Sequence, residues 1–424
     1  MRQSQLFTKT AKEPPKDEFS FNAQILIRAG FIDKLFAGVY TILPLGFKVL
    51  KKIENIIREE INNIGGQEIY MPALHPIANY KKTGRDKIDV LYYTKLKNGS
   101  ELVLGQSHEE IIVPLMQKFI LSYKDLPKMV FQFQTKFRNE LRAKSGILRG
   151  REFSMKDLYS FHKNEEDLNE YYKMAQKAYF KIFKRCGLLD LTYLTYASGG
   201  TFSKFSHEYQ TITEAGEDLI YICDKCEIAI NKKIIKEQSA CPFCQNKKLR
   251  EAKAIEVGNI FKLGNRFSHP FGFQYTAEDG SKKDVVMGCY GIGLGRTMGA
   301  ITEVHHDKNG IIWPEEVAPF VASLLKIKSK NAMPAGRQEK VKNIDKISDK
   351  IYTDLQDNGV EVLYDDRDVS VGEKFADADL IGCPYRIVVS AKTLMKNCVE
   401  VKRRGSDKEE LININEIINK ISNY

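Results

Sequence analysis

Apolar positions recur at helical spacing over residues 45 to 64, where Val49, Leu50, Ile53, Ile56, Ile57, Ile61 and Ile64 share one face. Gly65 and Gly66 end that helix. Residues 67 to 74 then read as a strand interrupted by Pro72, as at a sheet edge or where a strand meets another subunit. Upstream, Ile25, Leu26 and Ala29 mark a shorter helical face. Val130, Phe131 and Phe133 predict a strand that enters a basic, turn-rich stretch, with a second strand leaving it, so a long loop joins the two. Asn164, followed by Glu165, Glu166 and Asp167, opens a helix whose period holds over 168 to 186 and stops at Gly187. Beyond Trp313 and Pro314 the pattern changes. Strands over 319–327, 360–364 and 386–389 alternate with helices, one of them carried by Val341, Ile344, Ile347, Ile351 and Leu355 and stopped by Gly359, which predicts a compact α/β domain. Residues 328 to 340, polar and containing Pro334 and Gly336, read as a loop insertion.

With 424 residues, 43% of them hydrophobic, the chain can bury a large core and divide into two or three domains. Its net charge of +10 permits a nucleic-acid partner without requiring one. No signal-peptide core or uncharged run of bilayer length is present, so a cytoplasmic protein with no membrane partner is expected. The eight cysteines then do not suggest a disulfide framework. Cys223, Cys226, Cys241 and Cys244 form Cys-x2-Cys-x14-Cys-x2-Cys, close to zinc-ribbon spacing. Four thiolates would close a tetrahedral shell around a structural Zn²⁺, the alternative being four unrelated buried thiols.

Two stretches carry anion-binding chemistry. Residues 137 to 151 hold five basic side chains against one acidic, among them Arg138, Arg149 and Arg151, with Glu140 inside and Phe153 just beyond. Guanidinium forks bind carboxylate and phosphate oxygens, and an aromatic can stack on a base, although a solvated basic hairpin has the same composition. In the second stretch, Gly291, Gly293 and Gly295 run into Arg296 and a helical pattern, which allows close backbone approach to an anion at a helix N-terminus. Neither the dinucleotide fingerprint nor the P-loop fits, because the acidic partner and the Gly-Lys-Ser/Thr are missing.

These two arginine-bearing sites resemble motifs 2 and 3 of class II aminoacyl-tRNA synthetases. The helix over 45–64 and its strand resemble motif 1, whose family role is dimerisation. With LGQSHEE, MKDLYSFH, IEVGNIFKLG, GIIWP and DDRDVSVGEKFADADLIG added, the chain resembles prolyl-tRNA synthetases over nearly its whole length. The resemblance implies an α+β catalytic domain of class II type, an antiparallel sheet with helices, over 1–220 and 251–317. It further implies a small zinc-ribbon-like insertion over 221–250 and a C-terminal α/β anticodon-binding domain over 318–424. The implied partners are L-proline, ATP with Mg²⁺, the tRNA for proline, and a second copy in a homodimer.

The resemblance also assigns residues. Arg138, Glu140 and Arg296 would be catalytic. Proline would sit against Ser107 and Glu109, which stand where the family has Thr-x-Glu, and against Arg138, His207 and Cys289. A hydroxyl and a carboxylate suit the donors of a secondary ammonium. ATP would meet Arg138, Glu140, Arg149, Phe153, Glu208, Gly291, Gly293, Gly295 and Arg296, with Glu208 facing the metal. Asp366, Arg367, Phe375 and Asp377 would read the anticodon, and Lys402, Arg403 and Arg404 either touch phosphate or line a solvated edge. Without the family, Glu109 reads as a helix-start carboxylate and His207 as a surface histidine. One rival is a threonyl-tRNA synthetase relative, whose active-site zinc is held by dispersed Cys and His. Another is a non-catalytic tRNA-binding regulator, which would be expected to have lost a phosphate-binding arginine. Long bacterial relatives carry an editing domain between motifs 2 and 3, whereas only the cysteine segment lies between Glu208 and Met287 here.

Overall fold

The computed structural model describes residues 1–141, 143, 145–328 and 343–422. Helices α1 (Phe21–Arg28) and α2 (Pro44–Asn62) precede the edge strand β1 (Gln67–Glu68). The basic stretch is a hairpin, β2 (Lys128–Phe137) and β3 (Glu152–His162), followed by α3 (Glu165–Arg185). Next come β4 (Thr192–Ser198), β5 (Phe205–Ile212), β6 (Asp218–Cys223), β7 (Ile228–Asn231) and β8 (Arg250–Gly264). The glycine run forms β9 (Val286–Gly293), which passes directly into α4 (Leu294–Val304). These nine strands make one sheet in the order β5-β4-β7-β6-β8-β9-β3-β2-β1, antiparallel except for β4–β7 and β1–β2. Strand β5 also pairs with β8, so five strands close on themselves, and the four-cysteine segment is part of that closure rather than a detached module.

One face of the sheet is covered by α2, α3 and α4. Val49, Ile53, Ile57 and Ile61 are fully buried, and they belong to the same core as Tyr179, Ile182, Phe183, Met298 and Ile301. Truncating one of these, as in Ile53→Ala, should cost about 2–5 kcal/mol through lost burial and the cavity left behind. The predicted helix over 45–64 ends at Asn62, two residues early, with Gly65 in the left-handed region at φ +84. The predicted strand over 67–74 is split. Only Gln67 and Glu68 join the sheet, and Leu74–Pro76 belongs to a separate three-stranded sheet. Between them Pro72 lacks an N–H, and Met71 N donates instead to the side chain of Gln132 at 3.0 Å.

The C-terminal sheet runs in the order β11-β10-β12-β13-β14, built from β10 (Ala322–Ile327), β11 (Val362–Asp365), β12 (Tyr385–Ser390), β13 (Cys398–Arg403) and β14 (Glu409–Asn413). Helices α5 (Ile344–Asp357) and α6 (Val371–Ile381) connect the parallel strands. Most of the expected 328–340 insertion, and Val341 of the expected helix, lie outside the described residues. Trp313 fixes this domain to the catalytic one: its indole N–H donates to Ile381 O at 3.0 Å and its ring lies 5.2 Å from that of Phe31. Among the described residues no helix is long and apolar enough to cross a membrane.

Candidate active site

Strand alternation decides which side chains of the sheet meet on the face away from the helices. Phe153, Met155, Asp157 and Tyr159 of β3 line a cavity of 280 Å³, and Gly291 lies opposite Asp157 while Cys289 lies opposite Tyr159. The intervening Lys156 points into the helix-covered core, where it donates to Tyr179 Oη at 2.7 Å and burial lowers its pKa to about 7. Gly291 supplies floor rather than bulk. A Cβ there would meet only Met155 Sδ at 3.6 Å and Asn259 O at 4.0 Å, so a side chain would project into the space a ligand needs.

Ser107, Glu109, Tyr159 and Cys289 gather in this cavity, with Phe202 and Phe261 as aromatic walls. Glu109 is fully buried and accepts from Cys289 Sγ at 3.2 Å. Behind it Lys136, also fully buried, pairs with Asp157 at 2.7 Å and donates to His108 Nδ1 at 2.7 Å. His108 accepts because burial and Lys136 hold its pKa well below the ordinary range.

Arg138 stands where three cavities meet, the 280 Å³ one and neighbours of 220 and 570 Å³. Its guanidinium forms no ion pair among the described residues and reaches only Gln106 O, at 3.4 Å. Burial and the nearby Arg296 both press its pKa downward, so an anion in the cavity would relieve both penalties. Phe153 lies against it, ring centroid 5.2 Å away, and lines the same cavity. Arg296, in the first turn of α4, donates to Leu148 O at 2.8 Å and Glu256 O at 2.9 Å. The 220 Å³ cavity adds Glu140, Arg149 and Glu217 to Arg138 and Arg296. Arg149 Nη2 lies 2.8 Å from Glu140, and its Nη1 lies 2.9 Å from Glu217.

Three expected site residues, Gly295 in the first turn of α4, His207 and Glu208, do not line these cavities. His207 turns to the helix face, where its Nδ1 shares a 2.8 Å hydrogen bond with Tyr172 Oη and burial lowers its pKa to about 4. Glu208, its neighbour on β5, points the other way but stops short of the wall, accepting from Gln210 Nε2 at 2.8 Å and Asn231 Nδ2 at 3.0 Å. Burial and Glu256 push its pKa up to about 8. Glu256 and Asn259 of β8 line the cavity instead, and Asn259 Oδ1 is a buried acceptor without a partner among the described residues. Sequence reading missed both of these, as well as Lys136, Phe202 and Phe261. Alternation along IEVGNIFKLG could have grouped Asn259 with Phe261, but Glu256 reaches the same face only because the pairing of β8 with β5 skips Val257.

The sulfurs of Cys223, Cys226, Cys241 and Cys244 all lie within 4.8 Å of one another. Zn–S bonds of about 2.3 Å in a tetrahedron place sulfurs about 3.8 Å apart, and the Cys223–Cys244 separation is 3.6 Å. In the C-terminal domain Asp366 and Arg367 line a cavity of 570 Å³ with Lys326, Lys374 and Lys392. Asp377 is instead paired with Arg367 at 2.8 Å, and Phe375 lies beneath Arg386, 4.5 Å away.

This sheet, its hairpin and its glycine-led helix define a class II tRNA synthetase core. Residues 92–305 match the family described as tRNA synthetase class II core domain (G, H, P, S and T), and residues 331–424 match the anticodon binding domain. The chain is 38% identical over 434 residues to the proline–tRNA ligase of Wolbachia sp. subsp. Brugia malayi, covering 99% of both chains. It is 31% identical over 571 residues to that of Dehalococcoides mccartyi, covering 99% of this chain and 98% of the relative. The chain belongs to the proline–tRNA ligase family. Among solved structures, Giardia lamblia prolyl-tRNA synthetase in complex with prolyl-adenylate shares the fold at TM-score 0.77, with 21% identity over 93% of this chain and 74% of that one. The Cryptosporidium parvum enzyme complexed with L-proline and AMP does so at 0.75, with 20% identity over 95% and 74%.

Proposed function

We infer that this chain ligates L-proline to its tRNA in two ATP-dependent steps. The observation that carries the reading is Arg138, a guanidinium without a carboxylate partner among the described residues, at the junction of three cavities. In the first step a proline carboxylate oxygen attacks the α-phosphorus of ATP and pyrophosphate leaves. Arg138 neutralises the carboxylate and the α-phosphate, Arg296 takes the γ-phosphate, and Glu140, Arg149 and Phe153 hold the nucleotide. The proline ammonium rests on Glu109 and Ser107, with Cys289 and the two phenylalanines around the ring. In the second step a ribose hydroxyl of the tRNA terminal adenosine attacks the prolyl carbonyl. The anhydride bond breaks, AMP leaves with its electron pair, and the hydroxyl proton passes to phosphate or solvent. The 570 Å³ cavity beside Arg138, walled by Lys87, Val90, Thr201 and Phe202, is the entry for that adenosine. No protein nucleophile is required, because positioning and charge neutralisation lower the barrier.

Hard oxygen donors suit Mg²⁺, and Glu256 with the unpartnered Asn259 Oδ1 would hold it, neutralising phosphate charge; Glu208 supports this cluster from behind. The four cysteines fit a structural Zn²⁺. Asp366 and Arg367 face the cavity proposed for anticodon bases, with Asp377 and Phe375 holding Arg367 and Arg386 in place. Exposed Tyr70 and Leu74, just beyond the edge strand, support a homodimer, and a cytoplasmic location accords with the chemistry. Proline-dependent exchange of pyrophosphate into ATP tests the reading. Exchange dependent on threonine, or tRNA binding without any exchange, would replace it with one of the two rivals.

A further inference from the structure

Arg85 follows Gly84, which caps a short helix (Ile77–Thr83) in the left-handed conformation at φ +69. Its side chain is 2% exposed and lies beneath the proposed proline end of the cavity, touching three groups from residues 107 to 110. One terminal nitrogen donates to Glu110 Oε1 at 3.0 Å and reaches Glu109 Oε2 only at 3.4 Å, and the other donates to Ser107 Oγ at 3.1 Å. The guanidinium is also packed on Phe202, 4.6 Å from the ring centroid, and on Phe267, 5.3 Å away. Phe202 is a wall of the cavity, so one buried cation fixes the carboxylate, the hydroxyl and the aromatic surface together.

The guanidinium is shared unevenly between two carboxylates. Arg85 supplies one positive charge against the two carboxylates of Glu109 and Glu110, all three nearly or fully buried. Glu110 is also held by Thr83 Oγ1 at 2.9 Å, so it takes the stronger share of the guanidinium. Among the described residues Glu109 has only the longer guanidinium contact and the Cys289 thiol as donors, and it faces the cavity. A secondary ammonium entering there would meet a carboxylate held by these two weak donors.

We propose that Arg85 is a positioning residue for proline recognition: by bonding strongly to Glu110 and Ser107 and weakly to Glu109, it orients the receiving carboxylate while leaving its charge for the ammonium. The inference rests on the reading of Glu109 as the ammonium's partner. Lysine cannot do the same work, because a point charge on a flexible stem neither forks across three acceptors nor stacks on Phe202.

The test is steady-state pyrophosphate exchange with Arg85→Lys, the double variant Arg85→Met with Glu110→Gln, and Glu109→Gln. The first two conserve the net charge of the cluster, so a role limited to neutralising buried carboxylates predicts a proline KM close to the parent value. Positioning predicts that both raise the KM for proline about tenfold or more, the scale of one charge-assisted hydrogen bond, while the KM for ATP moves less than about twofold. A proline KM within twofold of the parent in either folded variant would overturn the inference. Failure of both variants to fold would overturn it as well, since Arg85 would then serve stability alone. If Glu109→Gln leaves the proline KM unchanged, the underlying reading of Glu109 fails. If Glu109→Gln raises it and the Arg85 variants do not, only the positioning role is lost.

Discussion

Arg149 Nη1 lies 2.9 Å from a Glu217 carboxylate oxygen, across the 220 Å³ cavity that borders the Arg138 site. A guanidinium proposed to hold the nucleotide is thus engaged within the protein before ATP arrives. The two side chains are 42% and 48% exposed, so solvent screens the pair and its worth is about 0.2–1 kcal/mol. Glu217→Ala should therefore lower the KM for ATP, by at most about fivefold. Exchange rates measured against ATP concentration check this, and a raised KM would mean that Glu217 itself serves the nucleotide.

Arg296→Ala should slow adenylate formation by roughly two to three orders of magnitude, the scale seen when one charge-stabilising donor is lost. The same change strips the partly buried carbonyls of Leu148 and Glu256 of a donor, so stability should fall by only about 1 kcal/mol. Single-turnover kinetics and thermal unfolding separate the two effects. Activity within a few-fold of the parent would remove Arg296 from the chemistry.

Glu208 should make stability depend on pH in an unusual direction for a carboxylate. Burial raises its folded pKa to about 8 from an ordinary value of 4.5. The folded chain therefore holds a proton that the unfolded chain releases. The stability associated with that proton is present below about pH 4.5 and is lost as pH rises toward 8. Glu208→Gln removes this dependence, so its unfolding temperature should fall less than that of the parent between pH 5 and 8 (~3 units spanning the shift). Parallel slopes for the two proteins would refute the assignment.

One zinc per chain is expected at the four cysteines. Cys241→Ser should reduce metal content and thermal stability together, because binding free energy at a closed thiolate site is folding free energy. Elemental analysis of the reduced, purified protein is the check. A metal-free parent with unchanged stability in chelator would exclude a structural metal.

The enzyme should not clear alanyl-tRNA for proline unaided. A pocket shaped for proline admits alanine, and each missing methylene weakens discrimination by only about 1–3 kcal/mol, so slow alanine activation is expected. The alignment with the Dehalococcoides relative runs over 571 positions, longer than this 424-residue chain, so that relative has inserted sequence lacking here. Incubation with preformed alanyl-tRNA measures the outcome directly. Hydrolysis clearly above the enzyme-free rate would reveal a second hydrolytic site.

By itself the sequence determined what depends on residue type and local period. The basic hairpin, the glycine run ahead of Arg296, the amphipathic helix read over 45–64 and the paired Cys-x2-Cys turns are all legible because each needs only neighbours within one turn or one strand. Tertiary structure decided what depends on register and long-range pairing. His207 and Glu208 are adjacent on one strand, and the pairing of β5 with β4 and β8 turns the first to Tyr172 and the second toward Glu256. Slipping that register by a single residue would exchange them, and nothing local in the sequence forbids it. Arg85 is likewise recruited from a separate segment to the base of Glu109, and β5 reaches around to β8 to close five strands. Such contacts form only when distant strands and loops pack together, so the three-dimensional fold selected which of the available polar groups face the cavity.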